Sequence, residues 1–193
     1  MKTVKHMSLW LIGALCALMS YTTQLKAADH VELDIRVSIA ATKEVTVDTT
    51  FYYFGAIAIN TSSNSATPIE VSNASSGLIE TYTIKGGDAI SDTVGQDWTL
   101  TGSTATTGSA IYALAAQFKS SRPDNAEENW LQDDLNRTTA VTCTTAILGD
   151  GTAGDEGAGV NPSDVRYLYF RLKTPTNTSD GGAHTAQLTL SVL

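Results

Sequence analysis

The sequence has very few of the residues that usually form cross-links or bind zinc. Its 193 residues include two cysteines and three histidines. Cys16 lies in an apolar stretch near the N-terminus, so Cys143 is the one cysteine expected in a processed chain, and a lone thiol forms no internal disulfide. The apolar and β-branched neighbours of Cys143 predict a buried, unpaired thiol. His30, His184 and one thiol give no zinc-ligand spacing.

Recognisable catalytic motifs are missing as well. No serine stands in a G-x-S-x-G context, and Cys143 lies in no known nucleophile motif. The carboxylate pairs at residues 133–134 and at Asp92 and Asp97 are easily solvated in polar loops, and nothing in the sequence places either pair in a cleft. A triad whose members meet only in space remains an alternative. We therefore expect the protein not to be an enzyme.

Positive charge is also scarce. The chain has 12 Lys and Arg residues against 20 Asp and Glu residues, which gives a formal net charge of -8. Residues 1–27 contain three of the lysines and no acidic residue, so their removal moves the net charge to -11. An acidic chain repels phosphate backbones and anionic lipid. Nucleic-acid binding and peripheral membrane binding are therefore disfavoured.

The chain has one apolar run, close to its N-terminus. Residues 7–19, "MSLWLIGALCALM", follow a basic start and precede a polar stretch that closes on Ala27. This arrangement is typical of a secretory signal peptide, and the run is shorter than the ~20 residues of a membrane-spanning helix. Leu15 disfavours the alternative of a lipid anchor on Cys16. We predict cleavage after Ala27, with Ala28 as the alternative, and a secreted or cell-surface protein without an integral membrane segment after processing.

What the sequence has in abundance is strand patterning. Alternating or β-branched runs, separated by turn residues, predict strands at residues 30–39, 43–47, 51–59, 69–73, 79–84, 97–100, 110–118, 140–148, 164–174 and 183–193. A tight turn is expected at residues 86–88, "GGD". Residues 28–193 are suited in length to one domain. The predicted fold is all-β, an antiparallel β-sandwich of about nine or ten strands, and a closed barrel is the alternative.

One segment departs from the strand pattern. Residues 121–136, "SRPDNAEENWLQDDLN", carry Pro123, possible N-caps at Asp124 and Asn125, and an acidic first turn. We predict one short helical segment here, capping an open end of the sandwich. The alanine-rich residues 109–118 are an alternative helix, but their apolar side chains alternate, which favours a strand.

The two terminal strands raise the question of what covers them. Apolar residues alternate with polar ones near the start of the mature chain, at Val31, Leu33, Ile35, Val37 and Ile39, and again in the last strand, at Leu188, Leu190 and Val192. Edge strands of this kind can pair between subunits and build a homo-oligomer or filament. The alternative is that residues 31–39 complete the sheet of their own chain.

One loop offers hard oxygen ligands. Asp150, Asp155 and Glu156 lie in "GDGTAGDEGAG", in which glycines allow carbonyl groups to turn inward, so calcium is the metal that this loop would suit. The full EF-hand spacing is absent, and acidic glycine-rich turns are also ordinary solvated loops. No other cofactor is expected.

Aromatic side chains suggest a second function. Trp98 and Trp130 could present flat faces to a glycan, although aromatic residues in strands more often pack in a core. An extracellular carbohydrate-binding or adhesion module is therefore the alternative to a structural protein.

Two stretches of the sequence resemble secreted bacterial Ig-like surface proteins. The first is "VDTTFYYFGAIAINTSSNSATPIEVSNASSGLIETYTI", whose pattern lies in residues 54–55, in Val71 with Asn73, and in Tyr82. The second is "RYLYFRLKTPTNTSDGGAHTAQLTLSVL", which resembles the closing strands of such domains. Asn60 stands where a glycine often follows the first strand. The resemblance implies an Ig-like sandwich with an extracellular, non-enzymatic, structural or adhesive role, and it supplies no site residues.

Overall fold

The computed structural model describes residues 41–103, 108–124, 126, 130, 132–179 and 181–193. The predicted signal peptide and the predicted strand at residues 30–39 therefore lie outside the described residues. The described part of the chain forms nine strands and no α-helix. The strands are β1 (Val45–Val47), β2 (Ser62–Asn64), β3 (Ile69–Asn73), β4 (Tyr82–Ser91), β5 (Thr99–Leu100), β6 (Ile111–Phe118), β7 (Val141–Thr142), β8 (Val165–Lys173) and β9 (His184–Val192).

The strands are arranged in two sheets. The larger sheet has the order β1-β3-β8-β6-β5, and β2 pairs with β8 beyond the end of β3. The smaller sheet has the order β7-β4-β9. All strand pairs are antiparallel except β5 with β6, which is parallel. Parallel neighbours require the chain to return to the same end of the sheet between one strand and the next.

The two sheets share one hydrophobic core. The fully buried members come from both sheets and from the loops between them: Val71, Tyr82, Ile84, Ala89, Leu100, Tyr112, Leu114, Ala116, Phe118, Cys143, Leu148, Val160, Leu168 and Phe170. Strand β6 supplies four of these residues by strict alternation, which confirms the strand predicted at residues 110–118 over the alternative helix. The all-β prediction is confirmed for the described residues.

The segment predicted as a helical cap packs on the outer face of the larger sheet. Trp130 and Leu135 form a second buried cluster with Ala113 and Ala115 of β6 and with Tyr169 of β8. Of this segment's described residues, only Gln132–Asp134 are helical, as a single 3-10 turn. The predicted helix is therefore not confirmed, and these residues cover a sheet face rather than an open end. Strand β6 is buried on both faces as a result.

The strand predicted at residues 51–59 was wrong, and one short strand was not predicted. Residues 51–59 form no strand, although Tyr52 and Phe54 pack against the core and Phe51 and Tyr53 point outward as in a strand. Among the described residues, none of their backbone N–H groups donates to a neighbouring strand. An alternating pattern thus indicates which side chains face the core, whereas a strand also requires a hydrogen-bonded neighbouring strand. Residues 62–64 pair with β8 although turn residues surround them.

The tight turn predicted at residues 86–88 is instead a β-bulge inside β4. The register with β9 shifts between Gly86 and Ala89, and the strand continues to Ser91. A Cβ atom on Gly86 would lie 2.8 Å from Leu100 Cδ2 and 3.1 Å from Asn136 Cβ, so a larger residue here would displace these side chains. Glycine at position 86 therefore allows Leu100 of β5 to pack close to the backbone of β4.

Candidate functional site

The candidate site is the free edge of β9. This nine-residue strand pairs with β4 along one side and is the end strand of the smaller sheet. No strand of the described residues pairs with its other side. The opposite edge of the same sheet is β7, which has only two residues. Strand β9 is thus the long open edge of the described domain.

Natural sheet edges are usually protected, and β9 itself carries none of the common devices, since the extra residue of the bulge lies in its partner β4. Edge strands are commonly short, bulged, or interrupted by proline or by charged side chains, lysine above all. Residues 184–192, "HTAQLTLSV", contain no Lys, Arg, Asp, Glu or Pro. Backbone groups along this edge can therefore accept a further strand without displacing a charge.

The inward face of β9 is only partly covered. Ala186, Leu188, Leu190 and Val192 pack against the core but are half-buried, whereas Tyr82 and Ile84 of the adjacent β4 are 0% exposed. Exposure therefore increases from β4 to the open edge, as expected when a sheet lacks one neighbour. The outward residues at 185, 187, 189 and 191 are polar and exposed. Three of the terminal-strand residues predicted from the sequence thus lie at this edge.

The chain enters the domain close to the end of β9. The backbone N–H of Glu44 donates to Glu80 Oε1 at 2.8 Å, and the N–H of Thr42 donates to Ser76 Oγ at 3.4 Å. The ammonium group of Lys43 donates to the backbone carbonyl of Leu193. Consecutive residues 42–44 are therefore anchored beside the last strand, and we call them the anchor segment. No sequence signal indicated this contact, because its partners are distant along the chain.

The predicted calcium ligands do not converge. Asp150 lies 3.6 Å from Lys119 Nζ and accepts the N–H of Thr152 at 2.8 Å. Asp155 Oδ2 accepts the N–H of Ser120 at 3.2 Å, and Glu156 accepts a backbone N–H of its own loop. The described residues contain no group of three or more His, Cys, Asp and Glu side chains that could hold a metal ion. The structure therefore gives the calcium prediction no support.

The two predicted ligand-binding tryptophans are differently placed. Trp130 is 2% exposed and belongs to the cluster over β6, so it presents no face to a ligand. Trp98 is half-buried and stacks on the imidazole of His184, with ring centroids 3.7 Å apart. Its indole N–H donates to Thr178 Oγ1 at 3.3 Å. Trp98 is therefore engaged on one ring face and at its nitrogen.

The most exposed aromatic rings were expected to lie in a strand. Phe51 and Tyr53 are 74% and 78% exposed, on the segment that follows β1. Tyr52 between them points inward and its hydroxyl accepts the N–H of Ala66 at 2.6 Å. The alternating pattern gave the direction of each ring, but exposure depends on the absence of a covering element, which the pattern does not show.

The titratable side chains of the core are poor nucleophiles in their folded environment. Burial raises the pKa of the Cys143 thiol to about 12, so the thiol stays protonated near neutral pH. Burial likewise raises the pKa of the Tyr82 and Tyr112 hydroxyls above the ordinary value for tyrosine.

Both ring nitrogens of His184 lie near backbone carbonyl oxygens. Nδ1 is 3.1 Å from the oxygen of Gly182, and Nε2 is 3.0 Å from the oxygen of Gln96.

Comparison with models of known protein families and with curated protein sequences gave no match to this chain. Among the described residues, no helix has both the length and the apolar character needed to cross a membrane.

Proposed function

We propose that the protein is a secreted, non-enzymatic structural subunit, an Ig-like β-sandwich that associates with copies of itself on or outside the cell. The observation that carries this proposal is the long, unprotected edge of β9 with its half-covered apolar face. An open edge with no charge or proline is a template for another strand, and natural sheets seldom leave one unless it has a partner. The signal-peptide pattern of residues 1–27 supports export.

Two sheets around one core support the sandwich part of the proposal. The larger sheet contributes β3, β6 and β8 to that core, and the smaller sheet contributes β4. Of the residues in the Ig-like sequence pattern, Val71, Asn73 and Tyr82 are buried. Burial gives these positions a packing role, which agrees with a structural domain.

The oligomeric state tests the proposal directly. The mature chain from Ala28 and a shorter chain from Ala40 are compared by size exclusion with light scattering and by electron microscopy. We expect large oligomers or filaments from the longer chain and a folded monomer from the shorter one, with circular dichroism to verify folding. Monomers of both lengths would contradict self-association. So would a monomeric longer chain together with an unfolded shorter one, because residues 31–39 would then cover their own core.

An extracellular adhesion or carbohydrate-binding module is the second candidate, and the exposed rings of Phe51 and Tyr53 favour it. Aromatic faces stack on sugar rings, and substitution of exposed side chains leaves the core intact. On a glycan array, Tyr53→Ala should lose retention while Val94→Ala, which changes another exposed apolar residue, keeps it. An array without signal from the unsubstituted protein would exclude this candidate.

A further inference from the structure

We infer that the open edge of β9 accepts residues 31–39 of a second copy of this chain. The inference rests on the proposed self-association and specifies which edge receives which segment. Strand β9 has nine residues, and Val31 to Ile39 also number nine. Both therefore span about 30 Å when extended.

We call residues 31–39 the donor segment, and its two faces match those of β9. Residues 31, 33, 35, 37 and 39 are apolar, and residues 32, 34, 36 and 38 are polar. On β9 the half-buried residues 186, 188, 190 and 192 are apolar, and the exposed residues between them are polar. A strand paired in this register extends the inward apolar face and places its charged side chains in water, because neighbouring strands in a sheet share their inward and outward faces. The part of the core beside β9 then gains the cover that it lacks.

The sequence that joins residues 31–39 to the described domain contains few signals for a chain reversal. Residues 41–44 run into β1 without a turn or bend. From His30 to Val47 the sequence contains no Gly, Pro or Asn, and the Asp and Ser residues of this stretch, Asp34 and Ser38, lie within the alternating strand pattern. This shortage of turn signals favours pairing of residues 31–39 with a second copy over a fold back onto the same chain.

The anchor segment makes such an exchange compatible with a stable domain. The anchor segment follows the donor segment closely in sequence and is hydrogen-bonded to its own domain. The partners of residues 42, 43 and 44 are Ser76, Leu193 and Glu80. The donor surface and the acceptor edge are different parts of the molecule, so the contact is heterologous. Heterologous contacts generate rings when the rotation closes and filaments when it does not.

Disulfide trapping tests the pairing at its centre. If the two strands pair along their full length, the middle of residues 31–39 lies opposite the middle of β9. Residue 36 then lies opposite residue 187 in an antiparallel pair and opposite residue 189 in a parallel pair. Arg36→Cys is therefore combined with Gln187→Cys and, separately, with Thr189→Cys. Each substitution is made in a separate mature chain from Ala28, one chain carries a mass tag, and the mixture is oxidised with copper phenanthroline. The native thiol at Cys143 is buried and does not interfere. We expect a tagged–untagged disulfide dimer on a non-reducing denaturing gel.

Matched controls give each result a clear meaning. Thr142→Cys places an exposed thiol on β7, the other edge of the same sheet, and should give no dimer with Arg36→Cys. If no dimer forms at β9 while light scattering still shows large oligomers, the inference fails and the proposed self-association stands. The Arg36→Cys, Gln187→Cys double variant could instead close a disulfide within one chain and remain monomeric. That result would overturn both the inferred pairing between copies and the proposed self-association.

Discussion

At the scale of single residues, Glu80 fixes the point at which the chain enters the domain. Its side chain is 1% exposed, and Oε1 accepts the backbone N–H of Glu44 across 36 positions of sequence. The isolated residue type gives no hint of this role, because a glutamate between apolar residues in a strand is usually read as solvent-facing. Only the fold places its carboxyl group beneath the anchor segment.

Replacing Glu80 should release that segment. We expect amide hydrogen exchange at Glu44 to be roughly tenfold faster in Glu80→Ala, since a lost hydrogen bond of ordinary strength costs about 1.4 kcal/mol. Glu80→Gln keeps an acceptor oxygen and should exchange nearly as the parent does. Exposed Glu70 serves as the control site, and equal exchange in Glu80→Ala and Glu70→Ala would contradict the anchoring role.

Gly149 is a second residue whose importance comes from its neighbours. A Cβ atom there would lie 2.6 Å from the carbonyl oxygen of Thr145 and 2.8 Å from that of Thr144. Gly149→Ala should therefore lower the free energy of unfolding by about 1–3 kcal/mol, the usual cost of overpacking. A Cβ atom on Gly181 meets nothing within 4 Å, so Gly181→Ala should be close to neutral. Urea denaturation of both variants is the measurement, and equal midpoints would contradict this account.

At the scale of elements, β6 illustrates what alternation can and cannot predict. Its inward residues were correctly predicted as a strand face, but Ala113, Ala115 and Gln117 on its other face are buried too. Alanine residues on the outward face of a strand are compatible either with exposure to solvent or with a covering segment. The cover comes from Trp130 and Leu135, whose segment was predicted as a short helical cap on an open end of the sandwich.

Trp130 should therefore matter for stability rather than for ligand binding. Truncation of a buried tryptophan removes packing on the outer face of the larger sheet, and we expect Trp130→Ala to lower the free energy of unfolding by about 3 kcal/mol or more. Tyr53→Ala, at an exposed aromatic residue, is the matched control and should change it by less than about 0.5 kcal/mol. Denaturant unfolding followed by circular dichroism compares the two, and similar midpoints would show that Trp130 is not part of the core.

At the scale of the whole molecule, the buried thiol and hydroxyls predict instability in alkali. The Cys143 thiol ionises near its ordinary pKa of 9.0 when the chain is unfolded but keeps its proton to about 12 when folded. Between these values the unfolded state has lost a proton that the folded state retains, so the free energy of unfolding falls as pH rises. The stabilisation is complete below pH 9, and above it the thiol contributes a slope of up to about 1.4 kcal/mol per pH unit.

Denaturant unfolding between pH 7 and pH 11 measures this slope. Tyr82 and Tyr112 add to it in the same direction, because burial raises the pKa of each hydroxyl. Cys143→Ala removes the contribution of the thiol, so the free energy of unfolding should fall less steeply above pH 9. A parent protein whose stability is constant from pH 9 to pH 11 would contradict this expectation.

The sequence by itself determined the all-β class, most of the strands and the inward faces of β6 and β9. These properties follow from a two-residue period that local side chains record directly: residues 69–73 were predicted with their observed bounds, and the last three strand predictions each contain an observed strand. What only the tertiary structure decided depends on partners remote in sequence. The sheet order, the bulge at Gly86, the absence of a strand at residues 51–59, the burial of Trp130 and the open edge of β9 are all of this kind. A strand's hydrogen bonds and the cover of its faces come from other segments, so no local pattern contains them.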